Sequence, residues 1–327
     1  MPKVSVIIPI YNSGKYIEGC LRSLFEQTLD DIEYIFIDDC STDESVEILK
    51  AVLKEYPKRC SYVSLIRNTK NCGPSTSRNN GIEKAVGKYI IFCDSDDIVE
   101  RDGYELMYNM AEENEADMVS CGVYVDSNNE SIPILFEKQV PLSKTLQDCD
   151  TLEGVLYSSS CNKLIRRDLL IDNNIRFDGS IRMWDDLYFT FIVRFYCKID
   201  CVLNKPLYHY CKYNDDSITS QNALIKSESQ IRCVELLEIF LRNNVCINYD
   251  YILNFLKLRS KDLLFCSDYI NNWIHVYKEA HKWIYRYIGF YGIARILRFY
   301  IVAFGGEFGW SILDLYARIK YKIKGKK

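Results

Sequence analysis

Lys88 to Asp97 reads KYIIFCDSDD. An apolar run stops abruptly in three carboxylates packed into four residues. A short apolar run without alternation is the pattern of a strand covered on both faces, as in a parallel sheet. Carboxylates this close repel one another, and a loop gains no packing from them. The stretch therefore raises two expectations: a buried strand, and something at its end that the acids hold.

The same grammar repeats upstream. VSVIIPI (4–10), EYIFID (33–38) and YVSLIR (62–67) read as strands. Between them lies a helix over 14–28, with Tyr16, Ile17, Cys20, Leu21, Leu24 and Phe25 on one stripe. Ser41-Thr42-Asp43-Glu44 reads as a capping box that opens a helix running to about residue 56. A third helix spans 75–86, bounded by Gly73-Pro74 and Gly87. Strands alternating with helices predict right-handed crossovers and an α/β, mostly parallel sheet. Further on, a helix is expected near 103–113, a strand near 117–125 and a helix near 185–197. After about residue 225 the chain reads helical to its end, so the expected division is 1–220 and 221–327.

Ligands of open parallel sheets bind outside the carboxyl ends of the strands. EYIFID runs into Asp38-Asp39, and KYIIFC into Asp94-Ser95-Asp96-Asp97, so both acid clusters are expected on one rim. A single Asp at a strand end is equally well a turn former or cap. Two clusters on one rim point instead to a divalent cation. Mg²⁺ or Mn²⁺ suits hard oxygen ligands and usually takes one or two carboxylates plus phosphate oxygens.

Of the 327 residues, 48% are apolar, enough for a real core, and the net charge of −4 gives no global basic field for nucleic acid. Fourteen cysteines are scattered, many in apolar runs such as Cys93, Cys121 and Cys197, where they read as small hydrophobes. No paired CxxC suggests a structural zinc, and MPKVSVIIPIYN lacks the pattern of a signal peptide. A reducing cytoplasm is the expected compartment. No continuous apolar run reaches the length of a membrane span, because Arg286, Arg295 and Arg298 interrupt 283–310.

The order VSVIIPIYN, YIFIDDCSTDES, NCGPSTSRNNGI, GKYIIFCDSDD resembles the nucleotide-sugar-binding half of the family 2 glycosyltransferases of the GT-A fold. The resemblance covers roughly residues 3–100, with echoes to about 220. It implies a Rossmann-like sheet flanked by helices, with a helical C-terminal extension. It also implies sugar transfer with inversion from a nucleoside diphosphate, most often UDP, to a glycan or lipid-linked glycan. By the same resemblance Pro9, Tyr11 and Asn12 lie against the nucleotide, and Asp39 accepts a hydrogen bond from the base. Arg78, Asp94 and Ser95 line the donor, and Asp96 holds Mn²⁺ or Mg²⁺. The acceptor base of the family matches Asp186 within MWDDLYFTF (183–191), beside Asp185. Trp184 stands where the family has Gly, which puts the shape of that loop in question.

Weaker candidates are Asp38, Asp97, Asp185, Lys163 toward phosphate or acceptor, and His209 as a metal ligand. Asp185 and Asp186 could also simply open a helix and favour its dipole. Arg166 and Arg167 read as solvated, and Lys212, Ser217 and Thr219 as a lid over the diphosphate. The tail ARIKYKIKGKK (317–327), six basic residues and no acid, suits an anionic membrane surface or a solvated tail. A homo-oligomer stays open. Two rivals to a transferase remain. A sugar nucleotidyltransferase would need a glycine-rich basic loop, and PIYNSGKY has one Gly and one Lys. The other is a non-catalytic, membrane-associated sugar-nucleotide-binding protein.

Overall fold

The computed structural model describes residues 1–127, 130–136, 159–212, 222–245 and 248–324. The described residues up to 212 form one compact unit, and those from 222 onward a second.

The first unit is a nine-stranded sheet flanked by helices. Strands β1 (Val4–Ile10), β2 (Ile32–Asp38), β3 (Val63–Arg67) and β4 (Tyr89–Phe92) alternate with helices α1 (Ile17–Phe25), α2 (Ser45–Leu53) and α3 (Pro74–Lys84). These four strands run parallel in the order β3-β2-β1-β4. Then come β5 (Ile98–Val99), α4 (Gly103–Glu113), β6 (Met118–Asp126), β7 (Ser131–Ile134), β8 (Lys163–Arg166), α5 (Arg167–Asp172), α6 (Asp185–Tyr196) and β9 (Asp200–Cys211). β8 pairs antiparallel with both β4 and β6, while β9 runs parallel to β6, so this half is mixed.

Apolar content explains the layering. All of Tyr89–Phe92 is buried, as is β1 except Pro9. β3 is an edge strand, and none of its side chains is fully buried. Gly81 lets α3 lie directly on β1, since a Cβ there would meet Ile7 Cγ2 at 2.3 Å.

The capping box does not form. The N-cap of α2 is Glu44, without a side-chain cap, and the helix ends at Leu53 rather than near 56. Asp43 instead accepts from the Ser45 amide at 3.1 Å and the Gly14 amide at 2.8 Å, tying the α2 start to the loop after β1. That second tie is non-local, which the local box pattern could not reveal.

One aromatic cluster positions the site. Phe92 on β4 meets Phe177 edge-on at 5.2 Å and Phe189 at 5.6 Å, while Phe177 and Phe189 stack at 3.9 Å. Phe189 lies one turn along α6 from Asp186, so the cluster holds the start of α6 beside the end of β4. Buried aromatic pairs of this kind contribute ~1 kcal/mol beyond their area.

The second unit is helical: α7 (Ala223–Asn244), α8 (Asp250–Ser260), α9 (Ile270–His275), α10 (Ile288–Tyr291) and α11 (Ile293–Lys324). Trp273, Phe255, Tyr287 and Phe299 form its core. Lys261 is also fully buried there, donating to the carbonyls of Trp273 at 2.8 Å and Val276 at 2.5 Å and lying 2.7 Å from His281 Nε2.

No continuous apolar run reaches the length of a membrane span, but the arginines do not keep one helix from being long and apolar enough on average. By length and composition Ile293–Ala317 is apolar enough, with a mean hydropathy of 1.3. It is not a straight rod, however. Gly306 breaks the helix at φ 57° and ψ −142°. A Cβ on Gly309 would meet the Ile301 carbonyl oxygen at 2.1 Å, so the chain bends back on itself there.

Candidate functional site

The carboxyl ends of β1, β2 and β4 make one rim, as the topology requires. Asp38 closes β2 with 1% exposure, its Oδ1 accepting from the Ser41 amide at 2.8 Å and its Oδ2 3.2 Å from Arg67 Nε. Asp39 is 3% exposed and accepts three hydrogen bonds: Asn68 Nδ2 at 2.7 Å, the Cys72 amide at 2.9 Å and the Gly73 amide at 2.7 Å. It anchors the loop that leads into α3, a structural task the sequence did not announce. Asn12 adopts a left-handed φ of 49°, and its Oδ1 accepts from the Thr42 amide at 2.9 Å. Tyr11 beside it is 49% exposed on the rim. Pro9 sits inside β1 opposite Ile37.

The three acids after β4 differ in what they hold. Asp97 gives both oxygens to the protein, accepting from the Tyr208 hydroxyl at 2.5 Å and the Cys211 amide at 2.8 Å. Burial, together with the Asp94 and Asp96 charges, pushes its pKa well above the usual range. Asp97 thus fastens the loop to β9. Asp94 gives one oxygen to Arg78 at 2.7 Å. Ser95 is 7% exposed, with its hydroxyl 2.6 Å from that of Ser13 in the loop after β1. Asp96 is half-buried between them.

Arg78 joins the two ends of the site. It is 5% exposed on α3, with its guanidinium over the Phe177 ring at 5.3 Å. One arm reaches Asp94; the other reaches Asp185 at 3.0 Å and lies 3.8 Å from Asp186. Burial pulls the Arg78 pKa down, but the charges of Asp94, Asp186 and Asp185 outweigh it and hold it well above normal. Asp185 also accepts from the Ser75 hydroxyl at 3.1 Å, and Asp186 from the Ser160 hydroxyl at 2.8 Å. The protein packed around Asp186 raises its pKa to about 6; Arg78 opposes this, and Asp185 and Asp94 add to it. A carboxylate poised there can accept a proton near neutral pH. Both acids do open α6, so the dipole reading also holds. Trp184 takes φ 71° and ψ 18°, the left-handed backbone that a Gly would adopt, at a cost of ~1–2 kcal/mol for an L residue.

Other candidates lie apart from this group. Lys163 is 1% exposed and donates to Ser159 O at 2.6 Å and Asn162 Oδ1 at 2.9 Å. Burial and the Arg194 charge lower its pKa to about 8. It supports the 159–162 loop from beneath. His209 lies between Asp126 at 2.8 Å and Glu100 at 3.1 Å, stacked on Tyr124. Arg166 and Arg167 are not merely solvated. Arg166 donates to the Ala116 carbonyl at 3.0 Å and Arg167 to that of Ala85 at 2.7 Å. Lys212 lies over Tyr210, while Ser217 and Thr219 fall outside the described residues. The bridging role of Arg78 and the supports Ser75, Ser160 and Tyr208 were missed. Their partners are 16 to 114 residues away in the chain, and only the Arg in SRNNGI carried a signal.

Among the described residues no three His, Cys, Asp or Glu side chains converge to hold a metal on their own. The donor set fits a cation that brings most of its ligands with it, because two acids of the motif are already committed to Arg78, Tyr208 and Cys211.

The model of glycosyl transferase family 2 matches residues 5–173. The poly(ribitol-phosphate) beta-glucosyltransferase of Bacillus spizizenii is 35% identical over 192 residues, which are 58% of this chain but 29% of that one. The cholesterol galactosyltransferase of Borreliella burgdorferi is 30% identical over 249 residues, 72% of this chain and 67% of that one. Residues 1–349 of TarS from S. aureus, solved in complex with UDP-GlcNAc, superpose with a TM-score of 0.70 at 23% identity, covering 92% of this chain and 90% of that one. That likeness bears on the GT-A-type fold, a curled mixed sheet flanked by helices.

Proposed function

This chain belongs to glycosyl transferase family 2, and from that premise we propose that it is an inverting glycosyltransferase acting in surface polysaccharide synthesis. The donor in this reading is a UDP-sugar, and the acceptor is a hydroxyl of a glycan or lipid-linked glycan at the inner face of a membrane. UDP is named because TarS carries UDP-GlcNAc in a similar fold. The acceptor class follows the poly(ribitol-phosphate) and cholesterol transferases among the relatives.

The observation that carries the reading is Arg78. It spans from the acid after β4 to the acid pair opening α6, about 90 residues further along the chain. Asp186 takes the proton of the acceptor hydroxyl. The freed oxygen attacks the anomeric carbon on the face opposite the diphosphate. The bond from that carbon to the diphosphate oxygen breaks, leaving the nucleoside diphosphate and an inverted linkage. Arg78 and Ser160 hold Asp186 in place, while the first loop and Asp39 shape the nucleotide end. Mn²⁺ or Mg²⁺ held through Asp96 would neutralise charge on the leaving diphosphate.

Two substitutions separate the roles. Asp186→Asn is expected to abolish transfer while leaving metal-dependent UDP binding intact. Asp96→Asn is expected to lose both, read by isothermal titration with UDP and Mn²⁺ and by UDP release. Full transfer by Asp186→Asn would sink the base assignment. Pyrophosphate release from a nucleoside triphosphate and a sugar phosphate would favour the nucleotidyltransferase instead. Tight UDP binding without turnover of any donor would favour the non-catalytic protein.

A further inference from the structure

The second unit carries an apolar surface that its own core does not use. On α11, Ile296, Phe299 and Val302 point inward and are buried. On the arm before Gly306 the opposite face shows Ile293, Leu297, Ile301 and Phe304, stepping by three or four residues, and the arm after it exposes Phe308, Ile312 and Leu315. Phe304 and Phe308 are 70% and 75% exposed, flanking the break at Gly306. Large aromatics this open, among further exposed aliphatics on both arms of the bend, mark an interaction surface rather than scattered surface hydrophobes.

Two further observations say what covers it. Residues 282–327 hold ten basic and two acidic residues, a local +8 in a chain whose net charge is −4. At the start of α11 a cavity of about 520 Å³ opens, lined by Phe265, Tyr291 and Ile293 together with Arg295 and Arg298. Arg295 lies over the Tyr291 and Phe299 rings at 5.5 Å, its side chain 48% exposed. Apolar rings beside cationic heads suit a surface with acyl chains beneath anionic groups. The break at Gly306 rules out a simple crossing. The arm over 293–305 is about 20 Å long, short of the ~30 Å hydrocarbon thickness.

We propose that this apolar surface and its arginine-lined cavity dock on an anionic bilayer, with the hairpin lying in the lipid surface rather than crossing it. The inference deepens the membrane part of the reading above. Its test uses no donor, so its failure is distinguishable from a failure of the transferase reading.

The full chain is sedimented with vesicles of phosphatidylcholine alone and with vesicles that also contain phosphatidylglycerol. Binding is expected to be at least about tenfold stronger with the anionic lipid and to fall with salt. Phe304→Ser combined with Phe308→Ser should weaken it by about tenfold or more. Arg295→Gln combined with Arg298→Gln should remove most of the preference for anionic lipid. All of these residues are exposed, though Arg295 also lies 3.6 Å from the buried Asp262, and the melting transition and helical circular dichroism of the second unit serve as the check on folding. Equal binding to both vesicles, or binding untouched by the phenylalanine pair, overturns the proposal. So does an absence of vesicle binding together with a concentration-dependent dimer that the phenylalanine pair dissolves, which would give the apolar surface to a second copy of the chain.

Discussion

At Asp186 a raised pKa makes two effects separable. Its carboxyl titrates near 6, so the base form is populated above that pH. Transfer is expected to fall about tenfold per unit below pH 6 and to level off above it, measured as kcat/KM against pH. The stability sign is opposite. A carboxyl whose folded pKa lies above its unfolded value contributes most when protonated, and that contribution is lost as pH rises through about 6. Asp186→Asn should therefore cost activity and not melting temperature at pH 7.5, checked by scanning fluorimetry; a lower melting temperature would mean that the Ser160 bond outweighs the charge. At this scale the sequence showed which acids to examine but not what each one holds. Asp94, Asp96 and Asp97 look alike in DSDD. They diverge only because Arg78, Tyr208 and the Cys211 amide arrive from other elements.

Among the elements, the alternating half was legible because buried parallel strands leave continuous apolar runs, and β1, β2 and β4 fall where those runs stand. β8 and β9 were not. β8 has four residues, and β9, DCVLNKPLYHYC, carries Lys205 and Pro206 mid-strand with register shifts near Cys121 and Gly122. Period-two patterning has nothing to grip there. In the second unit, burial lowers the Lys261 pKa to about 7. Burial and the Lys261 charge together lower that of His281 to about 4. Through Lys261 the folded state binds fewer protons than the unfolded chain between about pH 7 and 10, and through His281 between about pH 4 and 6.5, so stability rises with pH across each window and is lost as pH falls through it. Lys261→Met should flatten the rise of melting temperature between pH 7 and 9 relative to wild type. An unchanged slope would assign the rise to other groups.

For the whole molecule, two compact units with separate cores predict two calorimetric transitions rather than one. UDP with Mn²⁺ should raise only the transition of the first unit, by an amount that grows with ligand concentration. A single peak that moves as a whole would show that the units unfold together. The helical character after residue 225 was visible in the sequence, but the bend in α11 was not read, although Gly305-Gly306 inside an apolar run is a breaker signal. The chain also distributes its fluorophores unevenly. Of four tryptophans, Trp273, Trp283 and Trp310 belong to the second unit, and the first unit has Trp184 alone, directly before Asp185 and Asp186. The residue that bends the loop before α6 is thus a built-in optical reporter of that loop. Subtracting the emission of Trp184→Phe isolates its signal, so donor and acceptor arrival can be followed in real time without a label and before any bond is made.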